Sequence, residues 1–208
     1  MITKTDFSKQ YKEYYTAKNR PELIHVEPAV YLSIQGQGDP SGQPFADNIQ
    51  ALYSLAYGIK FYYKAKGADF VVPKLEGQWW FDERKYNGLT MSTAPQQIPR
   101  SEWSYRLLLR MPYQIKQEEL ELIKEEAASK KQIPRQQEVC LHYMEEGRCI
   151  QMMHHGPFSK EPETLAVLQA YIADYGFRRN GLHHEIYLTD FRKTPQEKLK
   201  TILREPVQ

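Results

Sequence analysis

Of the 208 residues only two are cysteine, Cys140 and Cys149, too few for the disulfide frameworks of small secreted folds. No uninterrupted apolar run exceeds four residues, against about 20 for a membrane-spanning helix. The opening Met1-Ile-Thr-Lys-Thr-Asp-Phe7 has no apolar segment of the secretory kind, so a cytoplasmic location is expected, with both cysteines as thiols. A large excess of positive or negative charge is missing too. Lys+Arg 28 against Asp+Glu 26 leave +2, too small a surplus for the basic face that nucleic-acid binding needs. Gly36-Gln-Gly38 lacks the spacing of a dinucleotide fingerprint, and Ser33, Ser41 and Ser159 lie in no nucleophile-elbow pattern.

Aromatic residues, by contrast, are in excess: 15 Tyr, 8 Phe and 3 Trp make 12% of the chain. The 41% hydrophobic and 26% charged residues are ordinary for a soluble globular protein, and the length suits one large domain or two small ones fused closely. Phe7, Tyr11, Tyr14 and Tyr15 at helical spacing predict an N-terminal helix over 5–19, before Pro21. Val30, Leu32 and Ile34 alternate with Tyr31, Ser33 and Gln35 as in a half-buried strand. After Pro44, the stripe Ile49, Leu52, Tyr53, Ala56, Tyr57 and Phe61 marks a helix that ends at Lys66-Gly67. Extended segments follow at 70–73 and 75–81, then a loop from Asp82 to Pro99, long enough that function or mobility is expected of it. Trp103 to Pro112 alternates as a strand, and Gln117 to Lys131 is a helix on the stripe Leu120, Ile123 and Ala127.

Residues 139–145 and 148–155 flank Glu146-Gly147 as a predicted hairpin, which would put Cys140 nearer Met153 than Cys149. A helix carrying Leu165, Leu168, Ile172 and Tyr175 has Ser159 as its candidate N-cap and Gly176 past its end. A strand at 182–189 precedes a last helix, opened by the capping box Thr194-Pro-Gln-Glu197 and carrying Leu199 and Leu203. The stretches 30–80 and 149–188 share one order of parts: strand, Gly/Pro turn, long helix, strand. That order predicts an α+β fold of two duplicated strand–helix–strand–strand modules, approximately 22–112 and 113–208. Their strands would pool into an antiparallel or mixed sheet with helices on one face and a central ligand cleft where the copies meet.

Along Leu182 to Thr189 side chains alternate, so His183, Glu185 and Tyr187 share one side and His184, Ile186 and Leu188 the other. The apolar pair is expected to face the helices, leaving Glu185 and Tyr187 about 6.6–7 Å apart on the opposite face. In a cleft, such a carboxylate among rings suits a general base or a counter-charge for a cation; on a half-exposed sheet it is a solvated Glu. Trp79 and Trp80 send one indole to each face of their strand, one to the core and one to a ligand wall. Trp103, Tyr105 and Tyr57 are candidates for the same wall or for core. The doublets His154-His155 and His183-His184, with His25 and His142, raise the question of a metal, but neighbours on a strand point to opposite faces and none is expected.

Several motifs in order, Ile34-Gln-Gly-Gln-Gly-Asp-Pro40, Leu75-Glu-Gly-Gln-Trp-Trp80, Trp103-Ser-Tyr-Arg-Leu-Leu-Leu-Arg-Met-Pro112, Gly147-Arg-Cys-Ile-Gln-Met-Met-His-His-Gly-Pro157 and His183-His-Glu-Ile-Tyr-Leu-Thr-Asp190 with Thr194-Pro195, resemble the stand-alone GyrI-like small-molecule-binding proteins. The resemblance covers nearly the whole chain and implies one domain over 1–208, with SHS2-type modules about a central cleft. Relatives fused to helix-turn-helix modules sense lipophilic, often cationic drugs through an acidic residue in an aromatic pocket. The subgroup this chain looks most like hydrolyses cyclopropanoid DNA-alkylating agents of the yatakemycin type, using an aromatic cage with a glutamate and a tyrosine, positions that Glu185 and Tyr187 match. Strand parity adds Trp80, Trp103, Tyr57, Tyr143 and His155 to the cage. The implied function is detoxification by glutamate-assisted attack of water on the cyclopropane ring, with no cofactor or metal; the alternative is sequestration without turnover. The expected partner is a small-molecule xenobiotic, with no nucleic acid and no membrane, the chain being a monomer or weak dimer.

Overall fold

The computed structural model describes residues 4–112 and 115–208; Met1 to Thr3 and the expected module boundary at 113 lie outside them. Along the chain run β1 (Lys4–Thr5), α1 (Phe7–Gln10), β2 (Glu22–Val26), β3 (Ala29–Gln37), α2 (Gln43–Ala65), β4 (Asp69–Phe70), β5 (Glu76–Trp80), α3 (Ala94–Gln97), β6 (Ser104–Arg110), α4 (Gln117–Lys130), β7 (Cys140–Met144), β8 (Gly147–His155), α5 (Glu161–Asp174), β9 (His183–Tyr187) and β10 (Lys200–Pro206). Eight strands form one sheet in the order β2-β8-β10-β9-β5-β6-β3-β7, antiparallel at every pairing, while β1 and β4 make a separate parallel pair. One half of the sheet is β5, β6, β3 and β7, with α2 packed on it, and the other β2, β8, β10 and β9, with α5 packed on it; the halves meet where β5 pairs with β9.

The sheet's two faces are covered differently. α2 forms because Phe45, Ile49, Leu52, Leu55, Ala56 and Ile59 recur every three or four residues, and all are buried. It lies on β3 and β6, α5 lies on β8, and their apolar sides share a core with Leu32, Ile34, Leu107, Leu109, Ile150 and Leu203 of the sheet. On the reverse face Phe7, Tyr14 and Tyr15 pack against Val26, Cys149, Ile186 and Ile202.

The N-terminal segment is not the helix its spacing predicts. Only α1 is helical, because carbonyls that a helix would bond internally accept from sheet side chains instead: Tyr14 O from Arg204 Nη2 at 2.8 Å and Thr16 O from Gln151 Nε2 at 2.9 Å. β7 and β8 lie where predicted but do not form a hairpin. Residues 22–33 and 140–151 run as one antiparallel ladder, with Val26 opposite Gly147 and Ala29 opposite Met144, so the register passes unbroken from β2–β8 to β3–β7. At the expected turn, Gly147 (φ 65°) kinks the chain and Glu146 is buried.

The last predicted helix is one 3₁₀ turn, Gln196–Lys198, followed by β10. A spacing of four residues, as between Leu199 and Leu203, fits one face of a strand as well as of a helix, and pairing with β8 and β9 on both sides decides for the strand. Ser159 does not cap α5: a 3₁₀ turn over Phe158–Lys160 precedes it and Lys160 holds the cap position. Tyr57 and Phe61 fall on the outer side of α2, 48% and 60% exposed. The segment from Asp82 to Pro99 is ordered rather than structureless: it contains α3 and sinks Met91, Ala94 and Ile98 into the main core. Cys140 is exposed and Cys149 buried, and both are free thiols.

Candidate functional site

β9 carries Glu185 and Tyr187 on one face, but that face is the helix side, the reverse of the expectation. Tyr187 belongs to the main core, whereas Ile186 packs on Phe7, Tyr14 and Tyr15, because the N-terminal segment supplies a second apolar layer that hides it. Opposite Glu185 on β5 stands Gly77, where a Cβ would come within 2.9 Å of the Tyr187 hydroxyl and 3.0 Å of Trp79 Nε1. The absent side chain lets Trp79 Nε1 donate to the Tyr187 hydroxyl at 3.0 Å. Phe158 and Phe191 meet the Tyr187 ring edge-on, with centroids 5.9 and 5.3 Å away, and Phe45 of α2 stacks on Trp79 at 5.9 Å. Glu185 is thus 8% exposed and Tyr187 5%.

Charge inside this enclosure is arranged around His183. Its Nδ1 donates to Glu205 at 2.7 Å and its Nε2 to Glu185 at 3.2 Å. Burial alone would lower its pKa, but the Glu205 and Glu185 carboxylates raise it to about 10, so the ring is an imidazolium at neutral pH. Glu161, the first residue of α5, is also buried, and one of its carboxyl oxygens has no hydrogen-bond partner among the described residues. Burial and then the Glu185 carboxylate push its pKa well above the usual carboxylate range, against the opposing pull of His183, so Glu161 is held as a neutral acid. Burial and then Glu185 likewise raise the Tyr187 phenol, which stays protonated. His154, lowered chiefly by burial, donates from Nε2 to Pro157 O at 3.2 Å and accepts from Thr164 at Nδ1, 2.9 Å away. The enclosure therefore brings the Glu185 and Glu205 carboxyl groups on His183 together with a neutral Glu161 carboxyl and the Tyr187 phenol among rings.

Residues 20–208 match the family of the GyrI-like small molecule binding domain. This chain belongs to that family. Two solved structures from Listeria innocua, one described as an uncharacterized conserved protein and one as a hydrolase, are each 39% identical to it over 99% of this chain and 100% of theirs, with TM-scores of 0.87 and 0.86. The EcmrR C-terminal domain, 10% identical over 91% of this chain and 97% of its own with a TM-score of 0.52, shares the fold. No curated protein matches the sequence.

In this GyrI-like chain the residues expected to form the cage are widely scattered. Trp103 joins the main core against Phe81, with centroids 5.4 Å apart, but Trp80 is on the reverse face, where Arg106 lies 5.9 Å from its ring. Tyr57 is on the outer side of α2, and Tyr143 on edge strand β7 is 63% exposed. His155 is exposed and bonds Asn19 at 2.9 Å. The rings gathered on Tyr187, two residues along the same strand face from Glu185, are instead Trp79, Phe158 and Phe191. Trp79 had a legible signal: it shares strand parity with Gly77, whose missing side chain leaves room beside it. Phe158 and Phe191 lie outside any strand or α-helix, and Glu161 reads from sequence as an ordinary acidic first-turn residue. No local pattern marks these three.

Proposed function

We propose that the enclosure binds flat hydrophobic xenobiotics and hydrolyses the cyclopropane ring of cyclopropanoid DNA-alkylating agents. The observation that carries this reading is Glu185, a buried carboxylate among rings, with a protonated phenol on its own strand and a neutral carboxyl facing it. The two Listeria innocua structures named as hydrolases, 39% identical over 99% of this chain, support the reaction class. In the proposed step Tyr187 orients a water and Glu185 takes its proton while the water oxygen attacks a ring carbon. The strained C–C bond breaks and its electron pair passes to the conjugated carbonyl of the drug, whose oxygen takes a proton from Glu161. One water has then been added, and proton return from Glu185 to Glu161 resets the site. Ring strain already activates the substrate, so positioning plus general base catalysis, typically about 10²–10⁴-fold, accounts for the rate.

Phe158, 38% exposed, is the outer wall that entering ligand displaces. Incubation with a cyclopropane-bearing duocarmycin-type compound should give, by mass spectrometry, a product one water heavier with the wild type and none with Glu185→Gln. Equal turnover by the variant refutes the assignment. A second reading, capture of a lipophilic cation without turnover, is favoured by the make-up of the enclosure, in which two acidic residues, Glu185 and Glu205, share a single basic ring, His183. In that case Glu185→Gln weakens binding of a cationic dye and no ring-opened product forms with either protein.

A further inference from the structure

On the reverse face of the sheet, away from Glu185, a cavity of about 370 Å³ lies between residues 9–14 and β2. Arg110 of β6 lines it, 5% exposed, with its guanidinium carbon 4.1 Å from the Tyr11 ring centroid and 4.6 Å from that of Tyr14. Among the described residues this guanidinium has no ion pair and no hydrogen bond. The neighbouring buried arginine, Arg204, is by contrast bonded to Gln151 at 2.9 Å and Tyr14 O at 2.8 Å and lies 3.6 Å from Glu146. A buried cation without a counter-ion is costly, and with rings against its flat surface the N–H edge is what remains to bind. That edge matches the two oxygens of an oxyanion. Lys9 and Lys12 add positive charge, Glu13 and Glu27 oppose a dianion, and Tyr11, Ile24 and Val26 provide an apolar wall. The volume is within the range of about 300–1,000 Å³ usual for small-molecule sites.

We propose that this cavity is a second ligand site that takes an amphiphilic monocarboxylate, its carboxylate on Arg110 and its apolar body along Tyr11 and Ile24. The site lies on the opposite face from Glu185, so it stands or falls independently of the hydrolase reading. Calorimetric titration of the full chain with sodium benzoate should show saturable one-to-one binding. Arg110→Lys, which keeps the charge but loses the fork, should weaken it roughly tenfold. Ile24→Trp, which fills the cavity from an edge strand, should abolish it, and carries the test if Arg110→Lys does not fold. Glu185→Gln should bind benzoate as the wild type does. Absence of saturable binding, binding that Ile24→Trp leaves unchanged, loss of binding in Glu185→Gln, or tighter binding of inorganic phosphate would each overturn the proposal.

Discussion

Gly77 is the residue that makes the enclosure geometrically feasible. Its position opposite Glu185 leaves space that the Tyr187 hydroxyl and the Trp79 indole occupy in their mutual hydrogen bond. Gly77→Ala forces that pair apart, and urea unfolding should register a loss of about 1–3 kcal/mol, the usual cost of overpacking a filled core. In the proposed hydrolysis the Tyr187 phenol orients the water, so turnover of a cyclopropanoid should fall in the same variant. The pairing of Glu185 with Tyr187 was legible in the sequence, since alternation along a strand needs only their spacing of two residues. The raised pKa of Glu161 was not, because it depends on Glu185, far off in sequence, and on burial that no local pattern encodes.

β10 has consequences beyond its own length. It is bordered on both sides, by β8 and β9, and it carries Arg204 into a buried cluster on the reverse face. There His184 bridges Glu146 at 2.9 Å and Glu76 at 3.0 Å, while Glu76 also accepts from Tyr14. Arg204→Met leaves Gln151 Oε1 and the Tyr14 carbonyl without their donor and Glu146 with His184 as its remaining cationic partner, and a loss of about 3–5 kcal/mol is expected by chemical denaturation. A loss below 1 kcal/mol, on the order of a surface pair, would mean that the cluster relaxes around the gap. The segment over 82–103 is held by its core residues and by surface ties that include Ser92 to Gln169 at 2.7 Å and Arg179 to Glu83 at 3.0 Å. Removing both ties with Ser92→Ala and Glu83→Ala should speed amide exchange in 83–97 while leaving the melting temperature nearly unchanged, since exposed contacts contribute about 0–1 kcal/mol. Uniformly unchanged exchange would show that these two ties do not hold the segment.

For the molecule as a whole, the histidine doublet links stability to pH on both faces of the sheet at once. Burial works against protonation of each ring, but Glu205 and Glu185 raise His183 from its ordinary 6.5 to about 10, and Glu146 and Glu76 raise His184 to about 9. A raised pKa stabilises fully below the unfolded value, so this contribution is intact below about pH 6.5 and disappears as pH climbs through 9 to 10. The melting temperature should therefore fall between pH 7 and 10; a flat or rising profile would exclude two buried imidazolium ions. On the acid side, burial raises the Glu146 carboxyl but the His184 charge outweighs it and holds the pKa below 4.5, so its contribution is lost as pH drops through that lowered value.

Local pattern was enough to place most strands and three long helices, to set Glu185 and Tyr187 on one face, and to separate His183 from His184. Each of these follows from periodicity among near neighbours. Which layer covers which face was settled by the assembled fold. It put the N-terminal segment rather than a helix over Ile186, joined β7 to β3 and β8 to β2 instead of to each other, and drew 200–206 out as a central strand. The physical reason is the same in each case. A local pattern says that a residue is to be buried, but its partner is chosen by contacts distant in sequence, and a four-residue spacing satisfies helix and strand alike until those contacts form.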